Sequence, residues 1–224
     1  MKRFRWYRAD WGITIGALAA GLKRHGLRAD EDNDGFVLEE LRSDYLTASF
    51  YEKRVIEEEL VSPFGVRTSS RRTEYIRTMF QAEVLAGTLE VVDAPKSSHA
   101  FVNSLMSAAD LKASFGDIRV DVRAWVETFQ QMAGLYGTVD LVQLGNVALE
   151  NGSVGRIVAK GGEADVAASS LVGGRSSVIE RMQLRMAGQG GKIVFNRSGG
   201  VSVEGIDLAT ALQPIRNALW RQLA

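Results

Sequence analysis

Clustered arginines beside an aromatic residue are the feature of this sequence with the clearest potential for chemistry. Arginine presents a planar set of donors that fits phosphate, and an exposed aromatic ring stacks on nucleotide bases. One such group lies between positions 67 and 77, where Glu74 is the acidic residue among the basic ones. The residues of this arginine stripe are Arg67, Arg71, Arg72, Tyr75 and Arg77. The stripe predicts a surface for nucleic acid or for an acidic protein partner.

A second group of arginines follows from the alternation of polar and apolar residues at 178–186. A period of two is typical of a strand with one buried and one exposed face. The residues expected to face helices are Met182, Leu184 and Met186. Arg181 and Arg185 are expected to face outward, with Arg197 joining them across a hairpin. Arginines on adjacent exposed strands predict contact with a phosphate backbone or an acidic protein, and the alternative is a solvated outer face.

Carboxylates at positions 57–59 offer a different chemistry. Glu57 and Glu59 share one face of a predicted strand. Paired carboxylates serve metal binding or acid–base catalysis, so a metal-dependent nuclease or phosphotransfer enzyme is one alternative. The other explanation is that this acidic run forms ion pairs with the arginine stripe on an opposing strand.

Familiar catalytic and ligand-binding motifs are incomplete in this sequence. The acidic run from Asp30 to Gly35 resembles the start of a calcium loop, but Leu41 occupies position 12, where a bidentate carboxylate is required. The glycines before Lys192 lack the spacing and the Ser or Thr of a phosphate-binding loop. The two histidines lie far apart in the chain. We therefore predict no catalytic residue, no metal and no cofactor, and favour a non-catalytic protein over an enzyme.

The composition is that of an ordinary folded protein. The 224 residues include 27 Lys plus Arg, 27 Asp plus Glu, two His and no Cys, so the net charge is zero. Without cysteine there is no disulfide and no thiolate metal site, which fits a reducing cytoplasm. The apolar stretch at 12–22 is too short to span a bilayer and predicts a buried helix. We expect a prokaryotic cytoplasmic protein that does not associate with membranes.

The order of predicted elements is the same in the two halves of the chain: a strand, a helix, several antiparallel strands and a second helix. This order predicts an α+β fold in which helices cover one face of antiparallel sheets. It also suggests a pseudo-duplication, with one unit at residues 1–112 and the other at 113–224. The alternative is a single α+β domain whose helices cover one sheet.

Several local predictions concern the second half. A short strand is predicted at 117–121, followed by a helix with apolar residues spaced over 122–136, which Gly134 and Gly137 end. Strands are predicted around 139–149, 154–160, 178–187, 192–197 and 201–206. A closing helix begins after Asp207 and contains Pro214, which predicts a kink or a break.

Residues 175–219 resemble one half of the TATA-box-binding-protein fold. In that fold, a strand with two apolar residues and a Phe leads through a Ser-Gly turn to a strand that ends in Gly and then to a long helix. The matching residues are Ile193, Val194, Phe195, Ser198, Gly199, Val201, Val203 and Gly205. The resemblance implies a sheet whose free face binds the minor groove of DNA, with Phe195 at a wedge position. Val178 stands where the family has a second Phe, and Pro214 interrupts the helix.

The leading hypothesis is a non-catalytic binding subunit of a prokaryotic cytoplasmic multiprotein assembly, which contacts a protein partner through an open sheet face. Nucleic acid, either DNA or RNA, is the second ligand expected on that face. The alternatives are the metal-dependent enzyme that uses Glu57 and Glu59 and a homo-oligomeric scaffold. The candidate contact residues are Arg181, Arg185, Arg197, Phe195, Arg67, Arg71, Arg72, Tyr75 and Arg77.

Overall fold

The computed structural model of this chain describes residues 1–28, 33–65, 67–95, 97–186, 188 and 190–223. The acidic residues at 30–32, from the predicted calcium-loop start, and Gln189 of the glycine-rich turn lie outside the described residues. The chain divides into two compact units. The N-terminal unit comprises residues 7–116, and the C-terminal unit comprises residues 1–6 together with 117–224.

The described residues form eleven strands and five α-helices. The strands are β1 (Lys2–Asp10), β2 (Gly35–Leu41), β3 (Leu46–Val61), β4 (Arg67–Glu83), β5 (Thr88–Val92), β6 (Ser114–Asp117), β7 (Gly137–Ala148), β8 (Val154–Lys160), β9 (Val178–Met186), β10 (Lys192–Asn196) and β11 (Gly200–Glu204). The helices are α1 (Ile15–Arg24), α2 (His99–Ala108), α3 (Val122–Ala133), α4 (Ala164–Val172) and α5 (Leu208–Leu223). A short 3₁₀ turn, Glu150–Gly152, lies between β7 and β8.

An aromatic core organises the N-terminal unit. Its antiparallel strands follow the order β2-β3-β4-β5, and each of the first three buries a Phe: Phe36, Phe50 and Phe80. Phe101 of α2 packs on Phe50 and Phe80, with ring centroids 6.0 and 5.2 Å apart. Such aromatic contacts stabilise beyond the apolar area that they bury. The core therefore fixes α2 on this sheet.

A long two-stranded ribbon extends from the same sheet. β3 and β4 pair continuously from Leu46 opposite Ala82 to Val61 opposite Arg67. The neighbouring strands are much shorter, because β2 pairs with residues 46–51 and β5 with residues 79–83. Residues 52–61 and 67–76 therefore form a ribbon to which no other described strand is paired, and which we call the β3–β4 ribbon. At about 3.3 Å per residue it is roughly 30 Å long.

Helices cover one face of the sheet in the C-terminal unit. Its antiparallel strands follow the order β1-β11-β10-β9-β7-β8, beginning with residues 2–6 of β1. α3 contacts β9 and β10, and α4 contacts β7 and β8. Arg123 on α3 lies 3.9 Å from Asp165 on α4, so both helices are on the same face. α5 packs on α3, where the Trp125 Nε1 group donates a 3.1 Å hydrogen bond to the Ile215 carbonyl.

The α+β class with antiparallel strands is confirmed, and three local features differ from the sequence predictions. The strand expected at 117–121 lies earlier in the chain, as β6 at 114–117. Asp121 is not part of it, because its side chain caps α3 by accepting a 3.1 Å hydrogen bond from the Ala124 N–H. α4 was not expected, since its run of small residues shows little amphipathic pattern. α5 continues unbroken through Pro214, which removes one backbone donor from the helix.

Candidate functional site

Most of the basic side chains on the strands of the C-terminal sheet lie on its exposed face. In the strand register, Met182 lies opposite Phe195, and both are buried on the helix-covered side. The alternate pairs, which include Arg185 opposite Lys192, therefore point to the other side. The basic residues on this side, which we call the open face, are Arg3, Arg5, Arg156, Lys160, Arg181, Arg185 and Lys192. The predicted outward orientation of Arg181 and Arg185 agrees with this register.

Three of these basic side chains are neutralised by acidic neighbours. Arg5 forms a 3.0 Å ion pair with Asp117, and Lys192 forms one of 3.1 Å with Glu204. Arg185 is 2.7 Å from Asp140, which also accepts a hydrogen bond from Gln183. Each of these acids compensates one cation, so the positive excess of the open face rests on Arg156, Lys160 and Arg181.

The excess includes three cations that have no ion-pair partner in the part of the chain that the structure describes: Arg156, Lys160 and Arg181. Arg156 and Lys160 lie four residues apart on β8, roughly 13 Å at the usual rise of a strand. Arg181 lies on β9, two strands away from β8, or about 10 Å across the sheet. No single small anion contacts all three, so this spacing suits a ligand that repeats its negative charge.

Phe195 does not lie on the open face. It is fully buried, and its ring packs against Trp125 and Phe129 at 5.1 and 5.6 Å between centroids. The assignment of Phe195 as a wedge that enters base steps is therefore wrong, because the side chain belongs to the core between β10 and α3. A wedge residue must be free to leave the protein surface.

Arg197 also differs from its expected position. It follows the end of β10, and by alternation it points to the side of α3 rather than to the open face with Arg181 and Arg185. Its guanidinium lies 3.6 Å from Glu180. Together with the first residues of α3 it lines a pocket, and it is not a member of the open face.

The arginine stripe lies on β4 in the β3–β4 ribbon, where the acidic run of β3 is opposite it. Arg67 contacts Glu59 at 3.3 Å, and Arg71 lies 3.9 Å from Glu57. The carboxylates nearest to Arg72 are those of Glu58, at 3.3 Å, and Glu74, at 3.2 Å. The cross-strand pairing that the sequence offered as an alternative is what the structure shows. The stripe therefore carries little excess charge for an anionic ligand.

Arg77 is held at the base of the ribbon. Its guanidinium hydrogen-bonds to the Glu39 carboxylate and the Ser49 hydroxyl, and it lies 5.9 Å from the centre of the Tyr51 ring. The hydrogen bond from Ser49 and the contact with Arg77 hold the pKa of Glu39 below its usual value, although partial burial opposes this effect. Tyr75 is about half exposed on the same strand.

The carboxylates proposed for metal chemistry do not converge. Glu57 and Glu59 each face an arginine across the ribbon, as described above. Within the described ranges, no group of three or more His, Cys, Asp or Glu side chains could hold a metal ion. The pair is accounted for by ion pairing on an exposed ribbon.

Sequence reasoning missed five basic residues of the open face, one of which is Lys192, opposite Arg185 on β10. Arg3 and Arg5 reach it because β1 pairs with β11, so that Arg3 lies opposite Ser202 and Arg5 opposite Gly200. Arg156 and Lys160 reach it through the pairing of β8 with β7. The alternation of β8, in which Arg156, Val158 and Lys160 are exposed, was the available signal for the second pair.

Comparison with known proteins gives no match, either to a protein-family model or to a curated protein. Among the described residues, no helix has both the length and the apolar character needed to cross a membrane.

Proposed function

We propose that this protein is a non-catalytic nucleic-acid-binding protein, and that the open face of its C-terminal sheet contacts the phosphate backbone. The single observation that carries this proposal is the positive excess on that face, above all at Arg156, Lys160 and Arg181. Clustered Lys and Arg on one face are the electrostatic footprint of a protein that binds nucleic acid. The zero net charge of the whole chain does not oppose it, because binding depends on the local field.

The dimensions of the face favour a polymer. Six strands at about 4.8 Å spacing make a surface roughly 24 Å wide, and basic side chains occur on both its first and its last strand. A phosphate backbone supplies negative charges at regular intervals over such a distance. A small anion would occupy only a fraction of it.

The composition of the face favours contact with backbone over contact with bases. The described strand positions of the open face carry no aromatic residue on which a base would stack. Contacts from Lys and Arg to phosphate position a protein on a duplex without reading its sequence. We therefore infer binding to double-stranded nucleic acid with little sequence preference. The resemblance of residues 175–219 to the TATA-box-binding-protein fold supports the same ligand class, without a Phe195 wedge.

The triple variant Arg156→Ala, Lys160→Ala, Arg181→Ala tests this proposal. We expect its affinity for a short DNA duplex at low salt to be lower by roughly tenfold or more. Each lost phosphate contact also removes about 0.9 from the slope of log affinity against log salt, so the slope falls by roughly 2 to 3. Fluorescence anisotropy between about 50 and 200 mM salt measures both quantities.

A matched control removes the same kind of charge from the other arginine group. Arg67→Ala, Arg71→Ala, Arg72→Ala deletes three cations that are paired with glutamates on the ribbon. We expect its affinity and salt slope to stay close to those of the wild type. An equal loss in both triple variants, or no binding by the wild type at low salt, would show that the open face is not the site.

A second candidate function is association through the tip of the β3–β4 ribbon. Leu60, Val61 and Phe64 are exposed there by 58%, 60% and 93% of their surface. Apolar side chains grouped at the end of a long ribbon favour contact with another protein, because a two-stranded hairpin gains little stability alone. This observation supports the protein-binding and homo-oligomeric hypotheses.

Sedimentation velocity tests whether the ribbon tip joins copies of this chain. If it does, the wild type sediments as a dimer or larger species at micromolar concentration, and Leu60→Ser, Phe64→Ser sediments as a monomer. Leu149→Ser is the control, since Leu149 is an exposed apolar residue of the C-terminal unit. A wild type that stays monomeric at the highest concentration rejects self-association through the tip.

A further inference from the structure

A pocket at the start of α3 contains a second concentration of positive charge, separate from the open face. Arg119, Arg123 and Arg197 line it, together with Asp121 and the apolar residues Val120, Val122, Val178 and Ile179. Its volume is about 460 Å³, which lies within the usual range for small-molecule sites. All of these residues belong to the C-terminal unit.

The pocket is held by backbone hydrogen bonds. The Val120 N–H donates to the Arg197 carbonyl at 3.0 Å, and the Arg197 N–H donates to the Glu180 carbonyl at 2.9 Å. These bonds tie the segment before α3 to the end of β10 and to β9. Val120 and Val122 are buried, so the walls between the arginines are packed. The guanidinium groups therefore start from a fixed frame, which lowers the cost of organising them around a ligand.

The acidic neighbours leave donors available on these arginines. Arg119 is exposed and has no hydrogen-bond or ion-pair partner among the residues that the structure describes. Arg123 is 3.9 Å from Asp165, and Arg197 is 3.6 Å from Glu180, both longer than a charge-assisted hydrogen bond. Neither acid lines the pocket. The Asp121 carboxylate does line it, but it already accepts the Ala124 N–H as the cap of α3.

We propose that this pocket binds the phosphate group of an organic phosphate monoester. Three arginines and one aspartate line the pocket, and Asp165 and Glu180 partly offset Arg123 and Arg197. Arg119 is therefore the main cation available to a phosphate monoester, which carries about −1.5 to −2 at neutral pH. Arginine suits this group because its planar donors contact two phosphate oxygens at once. The remaining volume and the apolar walls formed by Val178 and Ile179 accommodate the organic part.

The phosphate monoester has two sources, a free phosphorylated small molecule or the 5′-phosphate end of a nucleic acid. Isothermal titration calorimetry at low salt with phenyl phosphate, inorganic phosphate, and a dinucleotide with or without a 5′-phosphate separates them. Phenyl phosphate binds saturably and more tightly than inorganic phosphate if the apolar walls contribute. A 5′-phosphorylated dinucleotide that binds more tightly than phenyl phosphate identifies the nucleic-acid end as the source, and the reverse order identifies the small molecule.

Variants of the pocket complete the test. Arg119→Ala and Arg197→Ala are each expected to weaken phenyl phosphate by roughly tenfold, the usual effect of losing a hydrogen bond to a charged group. Arg119→Lys keeps the charge without the planar donors and should give an intermediate loss. Arg221→Ala, an exposed arginine at the end of α5, is the control and should leave affinity unchanged.

Two results would overturn the proposal: no saturable binding of any phosphate monoester, or equal affinity in the wild type and Arg119→Ala. The open-face triple variant keeps an intact pocket and should bind phenyl phosphate normally. Failure of the phosphate site is thus distinguishable from failure of duplex binding at the open face.

Discussion

Phe195→Ala is expected to lower the free energy of unfolding by about 3 to 5 kcal/mol. The ring is fully buried and contacts both Trp125 and Phe129 on α3. Its removal leaves a cavity between the sheet and the helix that these large neighbours can fill only in part. Urea denaturation followed by tryptophan fluorescence measures the loss, since Trp6 and Trp125 both lie in the core of the C-terminal unit.

A second substitution at this position separates a core role for Phe195 from the wedge role that the sequence suggested. The more conservative variant Phe195→Leu keeps most of the volume and should retain the wild-type affinity for duplex DNA at temperatures where it is folded. Phe64→Ala is the matched control for stability, because this Phe is 93% exposed and its loss should change stability little. A Phe195→Leu protein that is as stable as the wild type but binds DNA poorly would contradict the core assignment.

Gly21→Ala is expected to lower the free energy of unfolding by about 2 kcal/mol or more, even though alanine is the better helix former. A Cβ atom at position 21 would overlap the carbonyl oxygen of Ala108, where α1 crosses α2. Backbone atoms cannot rotate away as a flexible side chain would, so the two helices must move apart. Thermal unfolding of the variant and the wild type by circular dichroism measures the difference.

Gly16→Ala in the same helix provides the internal control. A Cβ atom at that position meets no atom within 4 Å. Only the higher helix propensity of alanine then acts, and it should leave the free energy of unfolding unchanged or raise it by up to about 1 kcal/mol. If both variants changed stability in the same direction by similar amounts, close packing of α1 on α2 would not be the reason for glycine at position 21.

The sequence could predict those elements whose polar and apolar residues follow a clear period. β9 is the best example, because Met182, Leu184 and Met186 alternate with Arg181 and Arg185, and the structure buries the first set as expected. The acidic run of β3 and the arginines of β4 likewise indicated cross-strand ion pairs. In each case the information is local, within a single strand or a single hairpin.

The side of the sheet on which Phe195 lies could not be predicted in this way. Ile193, Val194 and Phe195 are consecutive apolar residues, and all three are buried. Such a run has no alternation, so it does not tell which side chains face the helices. The register with β9, which places Phe195 opposite Met182, decides the question.

The composition of the open face depends on contacts between distant parts of the chain. Arg3 and Arg5 belong to it because β1 pairs with β11, whose residues are almost 200 positions later in the sequence. The local sequence pattern carries no information about such pairing, so the sequence places residues 1–6 in the N-terminal half. The pocket at α3 has the same origin, since Arg197 is distant in sequence from Arg119 and Arg123.

The most direct test of nucleic-acid binding at the open face follows the arginine side chains themselves. In a nuclear magnetic resonance titration of ¹⁵N-labelled protein with a short DNA duplex, we expect the Nε–H signals of Arg156 and Arg181 to shift. The signals of Arg67, Arg71 and Arg72, which are paired with glutamates on the ribbon, should stay in place. Shifts confined to the ribbon arginines, or none at a duplex concentration that saturates binding, would contradict it.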